Sequence, residues 1–328
     1  MRKTNSAKLW GVICVVAASM CYGITPILSN TALKGGLPAD FLTRVFGSAP
    51  ARMLQDPASA MPNESVVGFG MGLACLLSIL VCLITGKSLR VKGRQAAELA
   101  LFGGGGFTAT MLLISYAYLC IPAGTTIVLN FTYPMIVAVI SAVMFKEKLP
   151  AAGILALIAA IAGVALISGL GGGDAIGRKP ALGIPLALLS GLAYAVYFLA
   201  GRHASYSSLD TSVANVYITG SAAAICFLIA ALTGRFRLPP TGFMWLVLTS
   251  SAILGYMIGL RLLLAGIRLL GSTAASALNT LEPVFASLTG LIVFGETMGP
   301  LKILGAALVV LGAAVTIIVC GKKPSSAE

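Results

Sequence analysis

The chain is a succession of apolar stretches, each about as long as a membrane-spanning helix, separated by short segments that carry most of the charged residues. A helix rises 1.5 Å per residue, so about 20 apolar residues cross roughly 30 Å of hydrocarbon. Ten such stretches predict an all-α integral membrane fold with ten transmembrane helices. They cover residues 9–28, 66–85, 98–119, 125–145, 151–170, 181–200, 213–233, 242–264, 274–294 and 301–320.

The second half of the chain repeats the pattern of the first half. Apolar helices resemble one another through composition alone, so matches at polar, Gly, Pro and aromatic positions carry the weight of the comparison. A shift of 149 positions superposes five of them: Asn130 on Asn279, Pro134 on Pro283, Phe145 on Phe294, Glu147 on Glu296 and Gly163 on Gly312. The matches indicate a duplication into two repeats, residues 9–170 and 181–320, and the linker between them begins with three glycines at 171–173.

Each repeat contains five predicted spans, and an odd number forces the second repeat to enter the membrane from the opposite side. Inverted-topology repeats are typical of secondary transporters, whose binding site lies near the midplane where the repeats meet. The loops on the side of the two termini hold thirteen Lys and Arg residues, and the opposite loops hold eight. Because basic residues accumulate in cytoplasmic loops, this bias predicts that both termini are cytoplasmic.

The first repeat contains an additional outer segment. Residues 18–23 match residues 190–195 at an offset of 172 rather than 149, which pairs Tyr22 with Tyr194 and leaves the first repeat 23 residues longer. The excess falls in the 29–65 connection, where Phe41, Leu42, Val45 and Phe46 follow a helical stripe. A short amphipathic helix at the outer interface would serve either as a lid over the external mouth or as a spacer.

Composition and charge restrict the class of protein further. A mean hydropathy of +0.98 and 58% hydrophobic residues exclude a soluble domain. The net charge of +12 comes from Lys and Arg scattered among short loops, which argues against a nucleic-acid surface. The seven Cys residues lie in or beside apolar stretches without a CxxC motif, so they predict free thiols. We therefore expect no cofactor, no metal site and no catalytic residues.

Asn130 and Asn279 each stand four residues before a proline inside an apolar stretch. A proline ring in a helix removes the hydrogen bond to the carbonyl at i−4, which in both repeats belongs to the Asn. Each Asn thus combines a freed carbonyl with a side-chain amide, and such groups face the interior of a membrane bundle. Two interpretations stay open: a packed kink with a locally satisfied amide, or a binding site for a polar solute.

Glu282 is the one carboxylate well inside a predicted span. Ionisable groups within a membrane are costly and usually functional, so this side chain is a candidate to bind a proton or the ammonium group of a solute. Alternatively, it pairs with Arg261 or stays protonated and hydrogen-bonded.

Tyrosines complete the candidate substrate-binding set, since they offer apolar ring faces with a polar tip, although each is also common in packing. A central cavity among spans 1, 3, 4, 6, 8 and 9 is expected to be lined by Tyr22, Tyr116, Asn130, Tyr133, Tyr194, Tyr197, Tyr256, Asn279 and Glu282.

Two segments carry a family resemblance, YPMIVAVISAVMFKEKL at 133–149 and LEPVFASLTGLIVFGETM at 281–298. With the duplicated five-helix unit, they resemble the EamA-type transporters of the drug/metabolite transporter superfamily from about residue 10 to residue 319. The family's motif positions are filled by Pro134 and Pro283, by Glu147 and Glu296, and by the pairs Tyr22-Gly23 and Tyr194-Ala195. The long 29–65 connection departs from the short loop that is usual in the family.

The resemblance implies a secondary transporter in the inner membrane, an exporter of small organic metabolites such as amino acids, that works by alternating access. The sequence contains no nucleotide-binding motif, so the energy source would be a solute or proton gradient. Other readings are a non-transporting membrane sensor or structural protein, and a membrane-embedded enzyme. The enzyme reading lacks the clustered His, Asp or Ser residues that such chemistry needs.

If Asn130 and Asn279 line the path of a solute, replacing either by Leu is expected to reduce transport while expression and folding stay intact. Leu keeps the volume and removes the amide. Flux in proteoliposomes, compared at equal amounts of folded protein, measures the effect, and wild-type flux in both variants would contradict the interpretation.

Overall fold

The computed structural model describes residues 2–36, 56–147, 150–168, 179–294 and 298–320, and the elements within these ranges are helical. The α-helices are α1 Arg2–Lys34, α2 Asn63–Ile84, α3 Gly93–Glu98, α4 Gly106–Tyr118, α5 Ala123–Asn130, α6 Tyr133–Met144, α7 Ala151–Ile167, α8 Pro180–His203, α9 Thr211–Leu232, α10 Gly242–Ser251, α11 Leu260–Leu270, α12 Ser272–Asn279, α13 Glu282–Thr289 and α14 Pro300–Cys320. Segments Leu99–Gly105, Ala252–Gly259 and Gly290–Phe294 are π-helical, and Pro57–Ser59 and Ser205–Ser208 are 3₁₀ turns.

Eight helical stretches in the described part of the chain are long and apolar enough to cross a membrane: Ser6–Lys34, Asn63–Ile84, Gly93–Tyr118, Gly124–Met144, Pro180–His203, Thr211–Leu232, Gly242–Leu270 and Pro300–Val319. Two of the ten predicted spans differ from this class. Ala151–Ile167 is apolar but shorter. The predicted span 274–294 is not among the eight and consists of α12, α13 and a π-helical segment, with a turn before Pro283.

The first helix is longer than the pattern predicts. It continues to Lys34, so the beginning of the predicted 29–65 connection is helical, and the stripe at 41–46 lies outside the described residues. Residues 56–61 are tied to the end of α1, since the backbone N–H of Met61 donates to the carbonyl of Ala32 at 3.1 Å. Arg237 donates to the carbonyls of Ala58 and Ala60. This part of the connection packs on the bundle.

Both Asn-Pro sites are breaks in helices. α5 ends at Asn130 and α6 begins at Tyr133, while α12 ends at Asn279 and α13 begins at Glu282. A Cβ atom placed on Gly191 of α8 would lie 2.8 Å from the carbonyl oxygen of Asn130. Only glycine therefore allows α8 to approach the carbonyl that the proline frees.

Glycines also allow the terminal helices of the two repeats, α7 and α14, to pack in backbone contact. A Cβ atom on Gly163 would lie 2.5 Å from the carbonyl oxygen of Gly305, and one on Gly312 would lie 2.5 Å from that of Ala156. Small residues allow such close packing where helices gain no hydrophobic driving force from water. Gly163 and Gly312, which the repeat comparison pairs, thus belong to one interface.

The run of four glycines at 103–106 permits a second close contact, between the π-helical segment Leu99–Gly105 and α9. A Cβ atom on Gly103 would lie 2.7 Å from Cγ1 of Ile218, and one on Gly104 would lie 2.7 Å from the carbonyl oxygen of that residue. The run therefore serves close helix packing.

We expect Gly163→Ala to lower the free energy of unfolding by about 1–3 kcal/mol, because the added methyl group overlaps a backbone oxygen that cannot move aside. Gly93→Ala is the matched control, since nothing lies within 4 Å of its Cβ position. Thermal unfolding of the purified protein in detergent measures the difference, and equal stability of the two variants would contradict the close packing of α7 and α14.

Candidate functional site

Asn279 is the centre of a buried hydrogen-bond network at the break between α12 and α13. Its side chain is fully buried, and Nδ2 lies 3.0 Å from the hydroxyl oxygen of Tyr133, 3.3 Å from that of Tyr194 and 3.4 Å from Oε2 of Glu282. An amide nitrogen carries two hydrogens, so it serves at most two of these three acceptors at once. The network therefore has more than one hydrogen-bonding arrangement.

Ser19 of α1 contacts the oxygen of this amide. The Ser19 hydroxyl lies 3.3 Å from Oδ1 of Asn279 and 3.0 Å from the carbonyl of Val15. The one hydroxyl hydrogen serves either of these two acceptors, while the amide nitrogen of Asn279 faces Tyr133, Tyr194 and Glu282. Ser19 thereby connects the first helix of the chain to the second half.

Aromatic rings from three helices, α4, α6 and α8, surround the network. The ring centroids of Tyr133 and Tyr194 are 4.7 Å apart, and Phe198 stacks on Tyr133 at 5.3 Å. Phe107 makes edge contacts with Tyr194 at 6.4 Å and with Tyr197 at 5.9 Å. Such edge and offset contacts give the cluster defined ring positions. The result is an aromatic core with one carboxylate at its margin.

Asn130, in the first half of the chain, makes the corresponding contact with a serine of the second half. Its Nδ2 donates to the hydroxyl of Ser190 in α8 at 2.8 Å, and Ser190 donates to the carbonyl of Ala187 at 2.7 Å. Each Asn of the repeated pair thus hydrogen-bonds a serine in the first helix of the other half of the chain. The sequence comparison did not identify Ser19 or Ser190.

The structure brings most of the predicted residues together, with one exception. Tyr256 joins the core through Phe107, with centroids 6.2 Å apart, and Tyr22 packs in the same buried cluster as the other central tyrosines. Tyr116 lies apart, where its hydroxyl donates to Oε1 of Glu64 at 2.7 Å. It lines a cavity of about 540 Å³ with Leu119, Cys120, Lys179, Leu182 and Leu186.

Glu282 has its hydrogen bond with Asn279 and, among the described residues, forms no ion pair. Its side chain is partly accessible, whereas Asn279 and Tyr133 beside it are fully buried. Arg261, the alternative partner considered from the sequence, keeps a buried Nε that has no hydrogen-bond partner in the described part of the chain. Glu282 is therefore held by an amide and not by a cation.

Polar contacts connect several helices at one end of the bundle, which we call the Arg268 end and define by residues 203–210 and Arg268. Arg202 donates to the carbonyl of Arg268 at 2.6 Å, and Arg268 donates to the carbonyls of Tyr206 and Leu209. Oε2 of Glu98 accepts from the backbone N–H of Ser205 at 2.7 Å. These contacts tie α8, α11 and α3 to the turn that follows α8.

Further contacts join the two halves at this end. The ring of His203 stacks on Phe145 at 3.5 Å, and its Nε2 lies 3.8 Å from Oε1 of Glu147. Asp210 pairs with Lys87 at 2.8 Å. Partial burial disfavours ionisation of Asp210, but hydrogen bonds from Lys87 and Ser212 outweigh it and lower its pKa to about 2. Asp210 is thus charged and already paired at neutral pH.

We expect Asn279→Ala to destabilise the protein by about 2–4 kcal/mol and Asn130→Ala by about 1 kcal/mol, because the first leaves several buried groups without a partner and the second only one. Replacement of Asn279 by an apolar residue is therefore expected to affect folding too, in contrast to the expectation from the sequence. Thermal or denaturant unfolding of both variants measures the difference. Equal losses, or a larger loss for Asn130→Ala, would show that Asn279 is not the centre of the network.

The chain is similar in sequence to several known proteins. It is 26% identical over 283 residues to the threonine/homoserine exporter RhtA of Escherichia coli, covering 84% of this chain and 89% of RhtA. It is 23% identical over 300 residues to an uncharacterised transporter of Clostridium kluyveri, covering 85% and 92%. An uncharacterised Pseudomonas aeruginosa protein is 27% identical over 245 residues, covering 75% and 80%.

A solved crystal structure of a protein with 19% sequence identity covers 98% of this chain and 99% of its own, with a TM-score of 0.74, which shows the shared fold. The model of the EamA-like transporter family matches residues 52–169 and 181–318, so the first helix lies outside the match. These two segments make up most of the chain and confirm the resemblance seen in the sequence. The chain belongs to the EamA-like transporter family.

Proposed function

We propose that this protein is a secondary transporter that exports small organic metabolites, such as amino acids, across the inner membrane by alternating access. The observation that carries the proposal is the network around Asn279, where a carboxylate, an amide and tyrosine hydroxyls meet inside an aromatic core. Polar and ionisable groups placed inside a membrane bundle mark solute and ion pathways.

The ten-span arrangement of two inverted repeats, residues 9–170 and 181–320, is part of the proposal. Its support is reciprocal contact: Asn130 reaches Ser190 of the second half, and Asn279 reaches Ser19 of the first. Broken helices at the centre of each half, α5–α6 and α12–α13, are also a feature of transporters with inverted repeats. In this topology both termini and the Arg268 end face the cytoplasm.

The side chains of the core would divide the recognition of a solute among them. Glu282 takes up an ammonium group or a proton, and Asn279 and the hydroxyls of Tyr133 and Tyr194 serve other polar atoms. The ring faces of Tyr22, Tyr197 and Tyr256 bound the apolar part of the solute and favour a cation near Glu282. Asn130 holds the opposite break in place.

Tyr116 belongs to a different part of the path. Its bond to Glu64, which is only 2% exposed and pairs with Arg235 at 3.2 Å, places it near the 233–241 connection. We assign it to the outer mouth rather than to the central site.

Alternating access requires the contacts of the Arg268 end to form and break. In the present conformation, α8, α11 and α3 are joined there through Arg202, Arg268 and Glu98, so the cytoplasmic side is closed. Glu282 is partly accessible, whereas Tyr133 and Tyr194 beside the same amide are buried. A solute would enter from the cytoplasm once these contacts open.

The relatives narrow the class of solute. RhtA is described as an exporter of threonine and homoserine, which are small α-amino acids with an ammonium group. A carboxylate inside an aromatic core suits that group, so we take L-threonine as the first solute to test. Uptake into proteoliposomes separates transport from a sensor, structural or enzymatic role, because only a transporter moves solute.

If Glu282 couples transport to protons, Glu282→Gln is expected to abolish accumulation of L-threonine driven by a pH gradient and to retain exchange of labelled for unlabelled solute. Gln mimics the protonated carboxyl group and cannot release a proton. Flux into proteoliposomes with an imposed pH gradient measures both activities.

Glu64→Gln is the matched control, since Glu64 is a buried carboxylate that is held by Arg235 and Tyr116. It should keep the pH dependence of the wild type. A Glu282→Gln variant that still accumulates solute against its gradient, with unchanged pH dependence, would mean that Glu282 does not couple transport to protons.

A further inference from the structure

The cavity of about 540 Å³ that Tyr116 lines is located where the end of α4 meets the beginning of α8. Its volume is within the range of small-molecule sites. The lining comes from α4 and the turn after it, with Tyr116, Leu119 and Cys120, and from the beginning of α8, with Lys179, Leu182 and Leu186. The hydroxyl of Tyr116 already donates to Glu64, so Lys179 supplies the charge of an otherwise largely apolar cavity.

Backbone contacts hold the two sides of this cavity together. The backbone N–H of Lys179 donates to the carbonyl of Cys120 at 3.2 Å. A Cβ atom on Gly183 would lie 2.7 Å from Cγ2 of Ile121, so α8 approaches the turn after α4 as closely as a glycine allows. Cys120 and Ile121 are both buried. The cavity is therefore bounded by closely packed backbone from the two halves of the chain.

The rim of the cavity is apolar and exposed. The side chains of Leu119 and Leu182 are 77% and 53% exposed, on the two sides of the cavity. The membrane spans Gly93–Tyr118 and Pro180–His203 end and begin at this level. Tyrosine and lysine side chains are common at such span ends, where hydrocarbon gives way to lipid headgroups. The exposed leucines thus lie where acyl chains meet the headgroup region.

The charge of the lining favours one class of headgroup. Lys179 is exposed and forms no ion pair within the described part of the chain, and no carboxylate is among the lining residues. The ammonium or choline group of a zwitterionic lipid would meet a like charge there and find no partner. An anionic headgroup offers its phosphate to the lysine without that repulsion, and basic residues near the membrane surface attract anionic lipids.

We propose that this cavity binds an anionic phospholipid, with its phosphate on the ammonium group of Lys179 and its acyl chains along Leu119 and Leu182. In the proposed topology the lipid belongs to the outer leaflet. It contacts α4 of the first half and α8 of the second half at once, so its binding stabilises the packing of the two halves. The site is separate from the central residues and does not depend on which solute is transported.

The test compares two lipids that have the same acyl chains, dioleoylphosphatidylglycerol and dioleoylphosphatidylcholine. Native mass spectrometry of the purified full chain measures the affinity of each for the wild type, Lys179→Gln and Lys179→Arg. Gln removes the charge and keeps the backbone N–H that donates to Cys120, so this variant should unfold at the wild-type temperature. Lys34→Gln is the matched control, because Lys34 is an exposed lysine at the end of α1 and does not line the cavity.

We expect the wild type, Lys34→Gln and Lys179→Arg to bind the phosphatidylglycerol more tightly than the phosphatidylcholine. Lys179→Gln should bind the phosphatidylglycerol about fivefold more weakly than the wild type does, because one cation near an anionic headgroup is lost. Equal affinity of the wild type for the two lipids, undiminished affinity in Lys179→Gln, or an equal loss in Lys34→Gln would overturn the proposal.

A soluble anion is tested separately with sn-glycerol 3-phosphate, which carries a phosphate and no acyl chains. It should leave the unfolding temperature unchanged, since a ligand raises that temperature only by binding the folded state. Stabilisation by this compound that Lys179→Gln abolishes would assign the cavity to a soluble anion and overturn the lipid site. The proposed transport function would stand in either case.

Discussion

The constraint on which the structure depends is that a polar group inside a bilayer must find its partner within the protein. Two prolines break that rule locally, because each removes a hydrogen bond from the carbonyl of an asparagine four residues earlier. The asparagine side chains at both breaks have partners in the opposite half of the chain. Gly191 brings α8 against the freed carbonyl of Asn130, and serines from the opposite half take up the two asparagine side chains. The packing of the two halves thus follows from satisfying these groups.

The same constraint separates the polar groups that hold the fold from those that remain for a solute. At the Arg268 end, Glu98 and Asp210 have basic partners at hydrogen-bond distance, so they contribute to a closed face. Glu282 instead shares the side-chain amide of Asn279 with the hydroxyls of Tyr133 and Tyr194. Paired charges stabilise a conformation, whereas a shared donor leaves room for a ligand to replace one of its acceptors. The distribution of partners therefore points to the same pathway as the aromatic core does.

Much of the helical architecture was predictable, since apolar length alone marks most spans and the family resemblance rests on short motifs in the right order. The central residues were predictable where both repeats carry the same residue at the matched position, as at Asn130 and Asn279. Ser19 and Ser190 were not, because the repeat alignment sets Ser19 against Gly191 and Ala18 against Ser190. The serines occupy neighbouring positions on the helix rather than equivalent ones, and only the structure shows that both reach an asparagine.

Other differences have equally local causes. Tyr116 resembles the other tyrosines in sequence, but its helix turns it toward Glu64, and no pattern in the chain distinguishes that face. Lys34 ends the first helix later than hydropathy predicts, since a long basic side chain at a helix end is compatible with the membrane interface. The span 274–294 breaks between Asn279 and Glu282, just before Pro283, and the polar side chains at this break form the centre of the candidate site.

The most direct measurement of alternating access at this centre is the accessibility of position 19, which contacts Asn279. In a chain whose seven native cysteines are replaced, Ser19→Cys would be treated with a membrane-impermeant thiol reagent from either side of oriented vesicles. The account predicts labelling from both sides, with rates that L-threonine changes. Labelling from one side only, or no labelling with transport intact, would contradict it.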